Sequence, residues 1–185
     1  HTLYMSPLKA LATDIHRNLE VPIEEMGLAI KLETRSGDTP SHKKQRQKRL
    51  PPDILLTTPE QISLLLSDKN AERLFADLQY VILDELHELV TSKRGDLLAL
   101  ALTRLRKLAP NLRCIGLSAT IAHPDDLRAY LVEQPLPQQM NLAEIVRAKG
   151  GAKPHISILE TQERLPWSGH SCLYALPEIY EEIKA

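Results

Sequence analysis

A chain of 185 residues, 43% hydrophobic and 25% charged, is long enough for one full core or for one domain and part of another. Its 23 basic and 24 acidic residues leave a formal net charge of −1, so no global basic field is available and any nucleic-acid contact must come from local clusters and backbone amides. Cys114 and Cys172 are far apart and suggest neither a disulfide framework nor a zinc site. No apolar run approaches the ~20 residues of a membrane span, and no basic-then-apolar signal pattern opens the chain. These features point to a reducing cytoplasm and away from secretion or membrane insertion.

His1-Thr2-Leu3-Tyr4-Met5 reads as a strand already under way, as in a chain cut at its N-terminus. Leu8, Leu11, Ile15, Leu19 and Ile23 recur at helical spacing from Leu8 to Met26, with Pro22 expected to end or kink the helix. Leu28 to Thr34 reads as a strand. Asp53 to Thr57 is the next, followed by a helix that Pro59 opens at its first turn and Glu60 favours through the dipole. Gln79 to Leu83 is a strand, Arg94 to Leu108 a long amphipathic helix, and Arg113 to Leu117 a further strand. Alternating helices and apolar strands predict an α/β fold with a parallel sheet covered on both faces. After Leu131, Pro135, Pro137, Gly150, Gly151 and Pro154 punctuate a connector with one strand, His155 to Leu159, before a final helix near Tyr174 to Lys184.

The polar clusters fall at the ends of these strands. Ligands of open α/β sheets gather at the carboxyl ends of strands, which is where Asp84-Glu85-Leu86-His87 and Ser118-Ala119-Thr120 lie. In phosphate-handling sites of this kind one acid holds Mg²⁺ and a neighbouring carboxylate orients the attacking water, roles that suit Asp84 and Glu85. Taken alone, Asp84-Glu85-Leu86-His87 reads first as an acidic helix start. Its pairing with Ser118-Ala119-Thr120 at a second strand end favours the phosphate reading.

Ser6-Pro7-Leu8-Lys9 and Thr57-Thr58-Pro59-Glu60 each place a hydroxyl and a proline at a strand-to-helix junction, where free helix N–H groups can hold a phosphate. Each is also an ordinary helix start; the repetition makes a phosphate-tracking groove plausible. Thr34-Arg35-Ser36-Gly37-Asp38-Thr39 is a polar loop whose Gly37 permits close backbone approach, or a plain turn. Lys43 to Arg49 holds five cations in seven positions without an aromatic, the pattern of a solvated helix face. His87-Glu88 fails the zinc motif H-E-x-x-H at Thr91, and Gly116 to Thr120 fails G-x-S-x-G at Thr120.

In order, Ser6-Pro7-Leu8-Lys9-Ala10-Leu11, Ser36-Gly37-Asp38-Thr39, Thr57-Thr58-Pro59-Glu60, Asp84-Glu85-Leu86-His87 and Ser118-Ala119-Thr120 resemble motifs Ia to III of superfamily 2 helicases, in the DExH form. Pro51 to Glu60, Lys93 to Leu98 and Leu165 to His170 resemble the Lhr-like, ligase-associated DEXH-box helicases of bacteria. The resemblance implies a RecA-like fold and an ATP- and Mg²⁺-dependent, 3′-to-5′ DNA translocase and helicase of the bacterial cytoplasm. It would act in DNA repair on single-stranded DNA and duplex or hybrid junctions, with a repair ligase or nuclease as a further implied partner. It gives Asp84 the Mg²⁺, through water, and Glu85 the hydrolytic water, with His87, Ser118 and Thr120 coupling nucleotide state to DNA grip. Ser6, Pro7, Lys9, Arg35, Gly37, Asp38, Thr58, Pro59 and Glu60 would line the DNA-tracking side.

No G-x-x-x-x-G-K-[ST] occurs, and no glycine is followed by lysine. The resemblance therefore implies residues 1–131 as a first RecA-like domain without its P-loop unit, 132–172 as a connector and 173–185 as the opening helix of a second domain. The P-loop unit is expected before His1 and the arginine-bearing motifs in the remainder of the same chain. The 185 residues alone are expected neither to hydrolyse ATP nor to unwind DNA. A non-catalytic nucleic-acid-binding module that has lost the ATPase is the alternative from another class, and a DExH remodeller acting on RNA is a third reading.

Overall fold

In the computed structural model, residues 1–91, 93–119, 123–135, 140–147, 156 and 175–184 are described. The elements in chain order are β1 (Thr2–Met5), α1 (Lys9–Glu25), β2 (Leu32–Thr34), α2 (Ser41–Arg49), β3 (Ile54–Thr57), α3 (Pro59–Leu66) and α4 (Ala71–Phe75). There follow β4 (Tyr80–Leu83), α5 (Leu86–Val90), α6 (Lys93–Leu108), β5 (Arg113–Gly116), α7 (Pro124–Tyr130) and α8 (Leu176–Lys184).

The five strands form one sheet in the order β2-β3-β1-β4-β5, and every pairing is parallel. Parallel pairing follows from the helical crossovers, each of which returns the chain to the same starting edge of the sheet. All five carboxyl ends therefore lie along one edge, which is what gathers the polar clusters. Alternation along each strand divides the core. Leu3, Met5, Leu55, Val81 and Leu83 face the larger layer, with Ile62 and Leu65 of α3, Phe75 of α4, Leu89 of α5 and Leu98, Leu102 and Leu105 of α6. Tyr4 and Leu56 face the other side, against Ala12 and Ile15 of α1. Each fully buried leucine in the larger layer contributes about 1.5–3 kcal/mol relative to exposure.

The structure corrects the start of β2. Only Leu32–Thr34 of the expected Leu28 to Thr34 is strand. The reason is the cap on α1: Gly27, at φ +63°, donates from its N–H to the Glu24 carbonyl, and the Leu28 N–H reaches back to Ile23 O. This is a Schellman cap, and it commits Leu28 to the helix end instead of a ladder. Helix α1 also runs through Pro22, which does not end it before Glu25; Pro22 stands in its last turn. Helices α4 and α7 were not expected. The cationic run forms α2, as its helix-face reading suggested.

The chain divides into two compact units, residues 1–145 and 146–185. Within the first, the segment after α7 folds back: Arg128 Nε donates to Ala143 O at 2.7 Å, and Gln134 and Asn141 exchange hydrogen bonds. Within the second, α8 carries Lys184 Nζ 4.2 Å from the centre of the Tyr180 ring. Of the expected strand His155 to Leu159 only Ile156 is described, and it is not in a strand; the rest, like Trp167 and His170, lies outside the described residues. No described helix is long and apolar enough to cross a membrane.

Candidate active site and nucleic-acid groove

Strand β4 delivers Asp84 to the carboxyl edge, where its N–H bonds Met5 O of β1 at 2.8 Å. Asp84 Oδ1 accepts the Glu85 N–H at 3.0 Å. Tyr4, one residue before the end of β1, feels the Asp84 side chain. Burial, then the Asp84 carboxylate and the charge of Glu85, push the phenol pKa well above its usual range. Tyr4 was missed from sequence, because nothing local marks a strand tyrosine as facing an acid on another strand.

Glu85 occupies the left-handed region at φ 47° and ψ 49°, and its side chain caps nothing at the start of α5. For a residue with a Cβ this conformation costs about 1–2 kcal/mol. Asp84-Glu85 thus does precede a helix, but Glu85 is not an ordinary N-cap. The turn is over-determined from both sides, since Leu86 N–H bonds Leu117 O at 2.9 Å and Leu117 N–H bonds Leu83 O at 2.8 Å. Strain held in place in this way marks functional positions.

From α5, His87 Nδ1 lies 2.7 Å from Ser118 Oγ and 3.5 Å from Glu85 Oε2, while Nε2 stands 3.7 Å from Glu88 Oε1. Glu85, His87 and Ser118, on two adjacent strand ends, therefore form one contact chain. Thr120 lies outside the described residues. Among the described residues no group of three or more His, Cys, Asp or Glu side chains could hold a metal by itself. A lone Asp84 carboxylate still suits Mg²⁺, which keeps several waters and takes one or two carboxylates beside phosphate oxygens. For the phosphates themselves these 185 residues offer no G-x-x-x-x-G-K-[ST] cradle.

On the other half of the same edge, the ends of β1, β2 and β3 build two adjoining clefts. One, of about 560 Å³, is lined by Pro7, Lys9, Gly37, Thr58, Glu60 and Arg94, among others. The other, of about 320 Å³, includes Lys9, Arg35, Ser36, Asp38, Thr57 and Thr58. Lys9 is ion-paired with Asp38, and Lys44 Nζ bonds Gly37 O at 2.7 Å, so α1, the 35–39 loop and α2 are tied together.

The expected groove residues are not equally open. Ser6 is fully buried, its Oγ donating to Leu8 O at 3.1 Å, so it shapes the turn. Pro59 is buried as the first residue of α3. Arg35 is 5% exposed, with Nη1 bonded to Lys44 O at 3.1 Å and Gln47 Oε1 at 3.2 Å. Its guanidinium braces α2 and is not extended into solvent. The Thr57 hydroxyl donates to Arg35 O at 3.0 Å, fixing the ends of β2 and β3 together.

Residues 1–127 match the family described as DEAD/DEAH box helicase. The chain belongs to that family. Among relatives, an ATP-dependent helicase Lhr-Core of Methanothermobacter thermautotrophicus is 44% identical over 141 residues, covering 71% of this chain and 16% of that protein. The Lhr helicase/uracil glycosylase of Escherichia coli is 41% identical over 140 residues, 70% of this chain and 9% of its own. The structure of Mycobacterium smegmatis helicase Lhr bound to ssDNA and AMP-PNP superposes with a TM-score of 0.64 at 41% identity, over 71% of this chain and 18% of that one. The DUF1998 helicase MrfA bound to DNA and AMPPNP gives a TM-score of 0.62 at 32% identity, over 71% and 19%. The chain thus spans less than a fifth of the length of these helicases, and its sheet is the RecA-like helicase sheet.

Proposed function

We propose that this chain is the motor core of an ATP-dependent DNA helicase or translocase of Lhr type. The single observation that carries the reading is the shared edge of the sheet: the Asp84, Glu85, His87 and Ser118 cluster at β4 and β5 stands beside the clefts at β1, β2 and β3. One scaffold then presents acids for phosphoryl chemistry and a groove for a phosphate backbone. In family terms, bound ATP with Mg²⁺ supplies the phosphoryl transfer that drives movement. Asp84 would hold the metal, with the Tyr4 phenol as its neighbour on β1. Glu85, aimed by its left-handed turn, orients and deprotonates water. His87, touching Ser118 and facing Glu85, reports the state of that site to the neighbouring strand, with Thr120 as a further member.

In the groove, Lys9 supplies charge, Gly37 and Thr58 allow close backbone approach, and Asp38 and Glu60 hold the cations in place. Ser6, Pro7, Arg35 and Pro59 set the loop shapes that strand tracking needs. DNA as the polymer, 3′-to-5′ polarity, a role in repair and a ligase or nuclease partner complete the proposal; DNA-bound Lhr and MrfA support the first. The phosphate cradle and the arginine that completes the site would come from elsewhere in the whole protein.

The test is the ATPase rate of the whole two-domain protein with and without single-stranded DNA, beside Glu85→Gln. DNA-stimulated hydrolysis that falls by at least 10²-fold in the variant is expected, the scale of losing a positioned general base. DNA binding without hydrolysis in the unaltered protein would instead establish a non-catalytic binding module.

A further inference from the structure

Arg94, at the start of α6, holds three acceptors on two different segments, the first turn of α3 and the turn before α1. Its Nε and Nη2 meet Glu60 Oε1 and Oε2 at 2.5 and 3.1 Å, and its Nη1 donates to Pro7 O at 2.9 Å. Glu60 opens α3 beside Thr58, and Pro7 leads into α1 and Lys9, so one guanidinium sets the spacing of the two strand-to-helix junctions. Both junctions and Arg94 itself line the 560 Å³ cleft. Burial pushes the Glu60 carboxyl pKa up, but the hydrogen bonds from Arg94 and Thr58 outweigh it and hold it below the usual value.

The other end of this latch leads to the acids. Helix α5 follows Glu85 directly and carries His87, with Leu86 and Leu89 buried in the core. The corner between α5 and α6 is closed at Gly95, where a Cβ would stand 2.5 Å from Val90 O and 2.9 Å from Leu89 O. The hydroxyl of Tyr130 donates to Gly95 O at 2.7 Å and pins the corner from α7. A displacement of α5 is therefore passed to Arg94 with little slack, since closely packed interiors transmit strain instead of absorbing it.

We propose that Arg94 is a positioning residue that couples the Glu85-His87 segment to the nucleic-acid groove, by moving Pro7 and Glu60 as a pair when α5 moves. This rests on the helicase reading above. The planar fork is essential to it: lysine keeps the charge but cannot span a carboxylate and a carbonyl on separate segments.

The experiment measures ATPase in the whole enzyme for wild type, Arg94→Ala, Arg94→Lys and Glu60→Gln, as the ratio of the rate with saturating single-stranded DNA to the rate without it, and the DNA concentration giving half-stimulation. The ratio is expected to fall at least fivefold in Arg94→Ala, with half-stimulation moving to higher DNA concentration. Arg94→Lys should recover less than half of the loss, and Glu60→Gln should follow the same direction. A ratio within twofold of wild type, or equal proportional losses with and without DNA, would overturn the coupling role and leave Arg94 a packing residue. Should Arg94→Ala fail to fold, Arg94→Lys carries the same decision, a wild-type ratio overturning the proposal. Absence of DNA stimulation in the wild type would overturn the helicase reading itself, and this proposal with it.

Discussion

Glu85 joins an unfavourable backbone to the most consequential side chain of the proposed site. Its positive φ is imposed by the Asp84 carboxylate on its own N–H and by the Leu86 bond to Leu117, not by its own preference. Removing the side chain should reverse the usual order of substitutions: Glu85→Gly is expected to be more stable than Glu85→Ala by about 1 kcal/mol, because alanine keeps the left-handed penalty that glycine lacks. Urea unfolding of the two variants checks this, and equal midpoints would show that the turn relaxes when the carboxylate is gone. That an acid pair sits at this strand end was legible in Asp84-Glu85-Leu86-His87. That Glu85 is strained was not, because the strain comes from Leu117, just past the end of β5. The contacts of Tyr4 and Arg94 escaped sequence reasoning for the same reason, although Arg94 lies in the Lhr-like stretch Lys93 to Leu98. The acceptors of Arg94 lie 34 and 87 residues away, and no local pattern encodes them.

At the level of elements, β1, β3 and β4 were readable because a strand in the middle of a parallel sheet needs a continuous apolar run, and β5, at the end of the strand order, still carries Cys114 and Ile115 as a short apolar run. The front of β2 was misread because Leu28-Ala29-Ile30 satisfies the same pattern while serving the cap on α1. Helix α4 has five residues and α7 seven, too short for a helical stripe to stand out. Of the candidate site, the strand-end clusters were legible as residue types; which of them are buried, as Ser6 and Arg35 are, depends on how α1 and α2 close over the sheet.

Two glycines separate backbone from side-chain constraints at this scale. An added Cβ at Gly95 meets carbonyl oxygens of Leu89 and Val90, which cannot yield without opening the corner between α5 and α6. At Gly116 the nearest atoms, at 2.6 and 2.9 Å, are methyl ends of Leu86 and Leu131, which can turn away. Gly95→Ala is expected to cost about 1–3 kcal/mol, as overpacking does, and Gly116→Ala clearly less. Paired denaturation midpoints decide it; equal losses would mean that the corner is softer than its geometry indicates.

Across the whole molecule, carboxylates held by cations make stability depend on pH. Lys48, followed by the Asn70 backbone, pulls Asp68 down to about 2. At Glu33 burial pushes upward, but hydrogen bonds from Gln47 and Arg46 win and the pKa falls; Glu60 behaves alike. Each of these groups has a folded pKa below its unfolded one, so its contribution is present above the ordinary carboxylate range of about 4 and is lost as pH falls through the folded value. The melting temperature is expected to decline steadily as pH drops from about 5 towards 2, with Asp68→Asn flattening the lowest part of the curve. A profile unaffected by that substitution would show that Asp68 and Lys48 part in solution, as exposed pairs often do.

The strand order also governs the life of the chain before it is folded. β1 is the central strand, with Thr2 paired to Ile54 on one side and Tyr80 on the other. The earliest of the five described strands is thus among the last of them to be enclosed. At ribosomal speeds of about 5–20 residues per second, Leu3, Tyr4 and Met5 must wait roughly 4–16 s for β4 to be synthesised. During that interval the future centre of the sheet is a bare apolar ribbon, a natural client for chaperones on the ribosome.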